Sequence, residues 1–220
     1  SRHEPNELNG ISHFIEHTVF KGTARRSALD IARETDRLGG NFDAFTMQEM
    51  TGFAMKVVDK SLPQAFDLLA DILTNPQFDE TELERERHVI IEEMRMVEDT
   101  PEDLLGEIFS RAIFPHHPIG LPIEGTEKTV SAFDHKITAD FHRRVFRPSN
   151  LVIAVAGNVE HARVDDGCLV GTAHPADEIA RREFCGDEEG EVPRHRLERP
   201  GCVGRAREAR VLLRRDRVEE

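Results

Sequence analysis

Residues 9–23 read NGISHFIEHTVFKGT and contain the string HFIEH at residues 13–17. If this segment is helical, His13 and His17 lie four residues apart on one face, with Glu16 beside them. Two imidazoles at that spacing can bind one metal ion, and an adjacent carboxylate can accept a proton from a water molecule on that ion. Short strings also occur by chance, so the motif alone is a hypothesis that the rest of the chain must support.

Composition limits the function classes. The chain has 220 residues, which is enough for one large domain or two small ones with an apolar core. Its formal net charge of −13 argues against a nucleic-acid partner, because phosphate binding needs a basic face. No apolar run approaches the roughly 18 residues of a membrane span. The compartment stays open: the cytoplasm is the default expectation, and a targeting segment could precede Ser1.

The chain divides into two parts of different composition. All five Met and 12 of the 13 Phe lie in residues 1–160, whereas all three Cys lie in residues 161–220. We expect residues 1–160 to form the folded domain and residues 161–220 to be a weakly structured or aberrant tail, since the tail shows little apolar periodicity. The cysteines match no metal-site spacing and are interpreted as incidental thiols: Cys168, Cys185 and Cys202.

Apolar periodicity predicts an alternation of helices and strands in residues 1–160. A first helix begins at Asn9, with Asn9 or Asn6 as a possible cap, and a second begins at its cap Ser27. The remaining predicted helices are 61–73, 79–97, one from Pro101 and one near 131–145, and the predicted strands are 41–46, 52–58 and 151–156, the last of the buried type. This mixture predicts an α+β fold in which helices cover one face of a sheet.

The predicted helix at residues 79–97 supplies a second feature. Its apolar residues recur at helical spacing: Leu83, Ile90, Met94 and Val97. Glu86 and Glu93 lie two turns apart on or beside this stripe, and a carboxylate aimed into a core needs a charged partner or a metal. Solvated glutamates are the alternative, since several other glutamates share the helix. Because a zinc site needs at least three protein ligands, His13 and His17 require a third ligand from elsewhere in the fold.

The segment at residues 9–23 resembles the signature of the pitrilysin and mitochondrial-processing-peptidase family of zinc endopeptidases, whose inverted motif is H-x-x-E-H. Five further stretches resemble the landmarks of that family in the same order. They are 27–40 ending in LGG, DAFT at 43–46 with Glu49 and Thr51 after it, ERHVIIEE at 86–93, 117–126, and PSNLVI at 148–153. The resemblance covers about residues 1–160.

The resemblance implies roles for particular residues. The metal ligands of the family fall on His13, His17 and Glu93, with Zn²⁺ as the cofactor. Glu16 falls on the general base, and Glu86 on a second acidic residue that supports the site without binding zinc. The implied activity is endopeptidase hydrolysis of extended or unfolded peptides. The implied fold is a two-layer domain, with a mixed β-sheet covered by helices on one face.

The resemblance also implies a substrate-binding strand at residues 41–46, with Asp43, Ala44 and Phe45 as the contacts. An extended peptide would add to this edge through main-chain hydrogen bonds. The family usually has Asn where this chain has Asp43, and a carboxylate cannot donate a hydrogen bond as an amide does. A charge that blunts the edge, or a turn residue, is the alternative interpretation of Asp43.

Family members have a strand before the segment that opens this chain, so we expect the first strand to be missing. They also pair two similar domains around a chamber, and the second domain or subunit contributes an Arg and a Tyr to the site. A fragment inactive for lack of that domain is therefore one alternative, and a non-catalytic interaction subunit is another. A plain binding domain with an incidental His pair is a third. The remaining histidines are interpreted as surface or loop residues: His88, His116, His117, His135 and His142.

Overall fold

The computed structural model describes residues 1–147 and 150–158 and the backbone of residues 208–215. These residues form seven α-helices and four strands. The helices are α1 (Ile11–Thr18), α2 (Ala28–Arg37), α3 (Leu62–Thr74), α4 (Glu80–Asp99), α5 (Pro101–Ile113), α6 (Glu127–Val130) and α7 (His135–Val145). The strands are β1 (Asn41–Thr46), β2 (Thr51–Val58), β3 (Leu151–Gly157) and β4 (Glu208–Arg215). The three cysteines lie outside the described residues.

The four strands form one sheet in the order β1-β2-β4-β3. Thr46 lies opposite Thr51 in the first pair, and Ile153 lies opposite Leu213 in the last. All three pairings among the described strands are antiparallel, whereas a mixed sheet was expected. β1 and β3 are the outer strands of this described sheet, so each pairs along one side only.

Helices cover one face of the sheet, as the sequence predicts for an α+β fold. Along β2 the buried residues Phe53, Met55 and Val57 alternate with the more exposed Ala54 and Lys56. This period of two is the pattern of a strand with one face in the core and one toward solvent. The core contains residues from α1, α3 and β2 together.

Helix α1 lies in the centre of this core. Ile11, Phe14 and Ile15 have no exposed surface, and the Phe14 ring meets the Phe133 ring edge to face at a centroid distance of 5.4 Å. Full burial of side chains of this size stabilises the fold by about 1.5–3 kcal/mol each. Because one side of this short helix is fixed in the core, its other side has a defined direction.

A buried ion network fastens α3 to the segment between α1 and α2. The Asp71 side chain is fully buried, and its carboxylate accepts hydrogen bonds from Thr23, Arg25 and Arg26 at 2.7, 3.0 and 2.7 Å. Burial raises the pKa of Asp71, but these three donors outweigh it and hold the pKa below its ordinary value. Removing the carboxylate would therefore leave buried donors without an acceptor.

Several local predictions were wrong in detail. The cap of α1 is Gly10 rather than Asn9 or Asn6, and its side-chain acceptor comes from Glu4. β3 is not a buried strand, since its residues are half-buried or exposed: it is an outer antiparallel strand with one face toward solvent. His142 is a buried residue of α7 rather than a surface residue.

The tail contributes one described element. Residues 208–215 form β4, which pairs with β2 on one side and β3 on the other. The short apolar run at residues 211–213 lies in this strand. The rest of the predicted tail lies outside the described residues, so its weak structure stays a prediction. No helix in the described part of the chain is long and apolar enough to span a membrane.

Candidate metal centre

The polar residues of the HFIEH string share the side of α1 that faces away from Phe14 and Ile15. His13 and Glu16 are buried, with 7% and 9% of their surfaces exposed, and His17 is half-buried. Their rings and carboxylate face α4 and the end of β1. The core packing of α1 thus directs its two imidazoles into a shielded space beside α4.

Helix α4 brings Glu93 to this space. The Nε2 atom of His13 lies 3.7 Å, and the Nε2 atom of His17 3.6 Å, from the same Oε2 atom of Glu93. The two imidazole centroids are 4.6 Å apart, and the candidate ligand atoms of the three residues lie within 4.8 Å of one another. The structure therefore brings together the three residues on which the family resemblance places the metal ligands.

The donor set fits a zinc ion. Two imidazole nitrogens and one carboxylate oxygen are the ligands of catalytic zinc sites with a position open to water. Ligand atoms about 2.0–2.1 Å from one ion in a tetrahedral arrangement lie about 3.3 Å apart, which is close to the two Nε2–Oε2 separations here. These separations are also long for direct hydrogen bonds, so the three groups leave space between them rather than satisfying one another.

The two histidines differ in their electrostatic surroundings. Burial, aided by neighbouring His17, lowers the pKa of His13 to about 4, so this imidazole is neutral at pH 7 with a lone pair available. Burial also lowers the pKa of His17, but the hydrogen bond to Glu86 and the charges of Glu93 and Glu16 outweigh it, and the pKa of His17 is raised. Within the described residues, the buried Nδ1 of His13 has no hydrogen-bond partner.

Glu86 lies two turns before Glu93 on α4 and orients His17. Its Oε2 lies 3.4 Å from Nδ1 of His17, an arrangement that leaves Nε2 free to face Glu93. Its Oε1 lies 2.7 Å from the ammonium group of Lys21. Burial raises the pKa of Glu86, but its bonds to His17 and Lys21 outweigh it and keep the pKa low. Glu86 is thus an anionic acceptor beside the site, not one of the three converging ligands.

Glu16 is held by a residue of the sheet. The hydroxyl of Thr46, the last residue of β1, donates a hydrogen bond of 2.6 Å to Oε2 of Glu16. Burial raises the pKa of Glu16, and the bond from Thr46 opposes that rise.

The three predicted substrate contacts lie along β1 but point to different sides. Ala44 is on the same side as Thr46 and packs against the core. Asp43 is exposed, and its carboxylate accepts hydrogen bonds from the Asn41 amide at 2.8 and 2.9 Å. The Phe45 ring covers Gly52 so closely that a Cβ there would lie 2.4 Å from it. The feature that these residues share is therefore the main-chain edge of β1, which pairs with no described strand on the side away from β2.

An acidic cavity of about 340 Å³ adjoins the site between α4, α5 and the loop at residues 120–124. Val97, one turn beyond Glu93, lines it together with three carboxylates: Asp103, Glu107 and Glu124. Burial, and then the negative charges of Glu107, Glu93 and Asp103, raise the pKa of Glu124. The cavity therefore has room and charge for a cationic group.

Thr46 and Lys21 contact the site although the sequence predicts no role for either, and both lie in stretches that resemble the family. Lys21 follows His17 by four residues, a spacing that could have placed it on the same face. Thr46 ends a predicted strand, but nothing in the sequence shows which helix that strand end approaches. Glu4 lies before the motif, and its contact with α1 has no periodic signal.

Comparison with known proteins assigns the chain to a family. The profile described as Insulinase (Peptidase family M16) matches residues 1–127, more than half of the chain. The chain belongs to the insulinase family, peptidase family M16. The matched residues include the converging histidines of α1 and Glu93 of α4. The expected family is thereby confirmed.

Several relatives of this M16 chain are named zinc proteases. It is 43% identical over 166 residues to the uncharacterized zinc protease YmxG of Bacillus subtilis, covering 76% of this chain and 41% of that protein. It is 42% identical over 164 residues to an uncharacterized zinc protease of Streptomyces coelicolor, covering 74% and 36%. Zinc is accordingly the metal of these M16 proteins. The chain spans about two fifths of their length.

Solved structures agree with the fold of this M16 chain. A protease from Helicobacter pylori superposes with a TM-score of 0.74 at 26% identity, covering 78% of this chain and 41% of that one. Pitrilysin superposes with a TM-score of 0.58 at 26% identity, covering 66% and 16%. An M16 inactive domain from Pseudomonas fluorescens, at 18% identity and a TM-score of 0.57, shares the fold.

Proposed function

We propose that this chain is the metal-binding part of a zinc endopeptidase that hydrolyses extended or unfolded peptides. The observation that carries the proposal is the approach of His13, His17 and Glu93 to one point, with the Glu16 carboxylate beside it. His13, His17 and Glu93 would hold the ion. Membership of the M16 family and relatives named zinc proteases support the same reaction class.

Each residue then has a defined role. A bound Zn²⁺ would lower the pKa of a water ligand toward neutrality and polarise the carbonyl of the scissile peptide bond. The carboxylate of Glu16 would take a proton from the attacking water and give it to the leaving amine nitrogen. Thr46 keeps that carboxylate in one orientation, and Glu86 would accept a hydrogen bond from Nδ1–H of His17, which leaves Nε2 available to the ion.

The substrate would bind as an added strand on β1. One side of β1 pairs with β2, so the other side offers main-chain donors and acceptors to an extended peptide. Thr46 at the end of this edge contacts Glu16, so a peptide that follows β1 would lead to the base. The acidic cavity beyond Glu93 would favour a peptide with a Lys or Arg side chain near the bond to be cut.

Activity would require a second M16 domain or subunit to complete the chamber, because the chain spans only 36–41% of its relatives. A non-catalytic partner role is the second candidate, since one structure of the same fold is named an inactive domain. The presence of both histidines, Glu16 and Glu93 favours catalysis. An incidental His pair would leave the shared approach to Glu93 unexplained.

Zinc titration of the purified, metal-free chain tests the proposal directly. We expect one ion per chain, and no high-affinity binding in His17→Ala. His88→Ala is the matched control, because His88 lies on α4 with 73% of its side chain exposed and away from the three ligands. A wild-type chain that takes up no zinc would refute the proposed function.

A cleavage assay tests the assignment of the base. Glu16→Gln should keep the zinc affinity and lose cleavage of an unfolded peptide by about 10²–10⁴-fold, since the amide cannot accept the proton. The assay is run on the chain together with the remainder of the protein if the chain alone is inactive. Unchanged cleavage by Glu16→Gln would show that Glu16 is not the base. A second comparison uses matched peptides that contain Lys or Glu near the bond to be cut. Equal cleavage of the two peptides would show that the acidic cavity does not select a cationic side chain.

A further inference from the structure

Glu4 is a buried acidic residue that lies outside every motif discussed above. Only 5% of its surface is exposed. Its Oε2 accepts a hydrogen bond of 2.9 Å from the backbone N–H of Gly10, and its Oε1 accepts one of 3.0 Å from the N–H of Ser12. Both carboxylate oxygens are therefore used at the beginning of α1, the helix that carries His13 and His17.

The first turn of α1 depends on such an acceptor. The first hydrogen bond of helical type at this end runs from Phe14 N–H to Gly10 C=O, so the amides before Phe14 have no acceptor within the helix. Gly10, the cap residue, has no side chain to supply one. A carboxylate at this end also interacts favourably with the positive end of the helix dipole.

His13 lies in this first turn, and His17 lies in the last turn of the same eight-residue helix. The distance between the two imidazoles therefore depends on the first turn keeping its helical form. Loss of helical form in that turn would move His13 relative to His17 and Glu93. Glu4 thus acts, together with the core packing of Ile11 and Phe14, on the turn that carries His13.

The surrounding backbone fits the same interpretation. Gly10 has φ +94° and Gly125 has φ +85°, and a Cβ on either would lie 2.4 Å from a backbone oxygen of the opposite segment. The Asn9 side chain donates a hydrogen bond of 3.0 Å to the carbonyl of Pro122. The loop at residues 120–125 therefore packs closely against the start of α1. The Glu4 carboxylate binds the backbone amides of the same segment.

We propose that Glu4 is a positioning residue for the metal site, which holds the first turn of α1 so that His13 stays in register with His17 and Glu93. The inference rests on the proposed zinc site but concerns a different residue and a different property. A cap with a purely structural role would change the stability of the fold and leave the zinc affinity of the folded chain unchanged.

The test compares two cap variants at a temperature where both remain folded by circular dichroism. Glu4→Gln keeps the size of the side chain but replaces one accepting oxygen with an amide group that cannot accept. Ser27→Ala is the matched control, because Ser27 caps α2, which carries no metal ligand, through a 3.2 Å bond from Asp30 N–H. The zinc dissociation constant is measured by competition with a chromophoric chelator.

We expect Glu4→Gln to raise the zinc dissociation constant at least about tenfold, the range for groups that orient a metal ligand, and Ser27→Ala to leave it within about twofold. Equal dissociation constants for Glu4→Gln and wild type would overturn the inference even if the melting temperature falls. A similar loss of affinity in Ser27→Ala would also overturn it, because the effect would then be general destabilisation.

Amide hydrogen exchange of the metal-free chain separates this inference from the proposed function. Glu4→Gln should speed exchange at the Ser12 and His13 amides while leaving the α3 amides unchanged. Should wild type bind no zinc, the proposed function fails, and exchange rates at Ser12 and His13 decide whether Glu4 orders the first turn. Unchanged rates there would refute the role of Glu4.

Discussion

The buried imidazole of His142 makes the fold sensitive to acid. His142 has 5% of its surface exposed, its Nε2–H donates a hydrogen bond of 2.9 Å to the carbonyl of Leu73, and its ring stacks on Phe146 at 4.7 Å. Burial lowers its pKa from 6.5 to about 4 in the folded chain. Between these two pH values the unfolded chain binds a proton at His142 that the folded chain does not, so the free energy of unfolding falls as the pH falls.

The size of this effect follows from the two pKa values. With 6.5 for the unfolded chain and about 4 for the folded chain, lowering the pH from 7 to 5 costs about 2 kcal/mol at this residue alone. His13 has a pKa lowered in the same way and adds a loss of the same sign. The comparison of a His142 variant with wild type removes the contribution of His13 and of the carboxylates, because these are present in both proteins.

Urea denaturation of the metal-free protein at pH 7 and pH 5 measures the effect. His142→Gln keeps a donor for the carbonyl of Leu73 but does not titrate, so it should lose about 2 kcal/mol less than wild type over this interval. His88→Gln, at an exposed position of α4, is the matched control for the replacement of a histidine by glutamine. If His142→Gln and wild type lose equal stability between the two pH values, the reasoning about His142 is wrong.

Three further predictions concern other residues. Glu86→Gln should weaken zinc binding about 10–100-fold, because the acceptor for His17 Nδ1 loses its charge, and an unaltered dissociation constant would exclude that role. Asp71→Ala should destabilise the fold by about 1–3 kcal/mol in urea denaturation, because the buried Thr23 hydroxyl loses its acceptor while Arg25 and Arg26 keep Asp67; an unchanged stability would contradict this. Thr46→Val should raise the pKa of Glu16 further, and Thr46→Ser should restore it, as followed by carboxyl carbon NMR; a lower pKa in Thr46→Val would count against the bond.

The long periodic segments were predictable because local rules fix them. The capping box of Ser27 with Asp30 begins α2 where the sequence predicts it, and β1 occupies the predicted residues 41–46. The expected approach of Glu93 to His13 and His17 rested on resemblance to a family rather than on periodicity. Spacing along one helix predicts which side chains share a face, but it gives no position for a residue on another helix.

The errors arose where a tertiary contact replaced a local one. The asparagines near the start of α1 are the local candidates for its cap, whereas the acceptor is Glu4, which the fold brings against the first turn. β3 has the composition of a covered strand, yet it is an outer strand, because its place in the sheet is set by pairing and not by its residues. His142 was expected at the surface because histidine is polar. The sequence does not show that its ring donates a hydrogen bond to the carbonyl of Leu73 in the core.

The hydrogen bond from Thr46 to Glu16 links β1 directly to the carboxylate that we propose as the base. In the proposed enzyme, a peptide that pairs with β1 fixes the strand whose last hydroxyl sets the angle of the base. The proposed enzyme would then select a substrate first by the extended conformation of its backbone rather than by any single side chain. A segment in a helix or in the interior of a sheet has no free main-chain edge to offer, so the proposed site would cut such a segment far more readily once it is unfolded and extended.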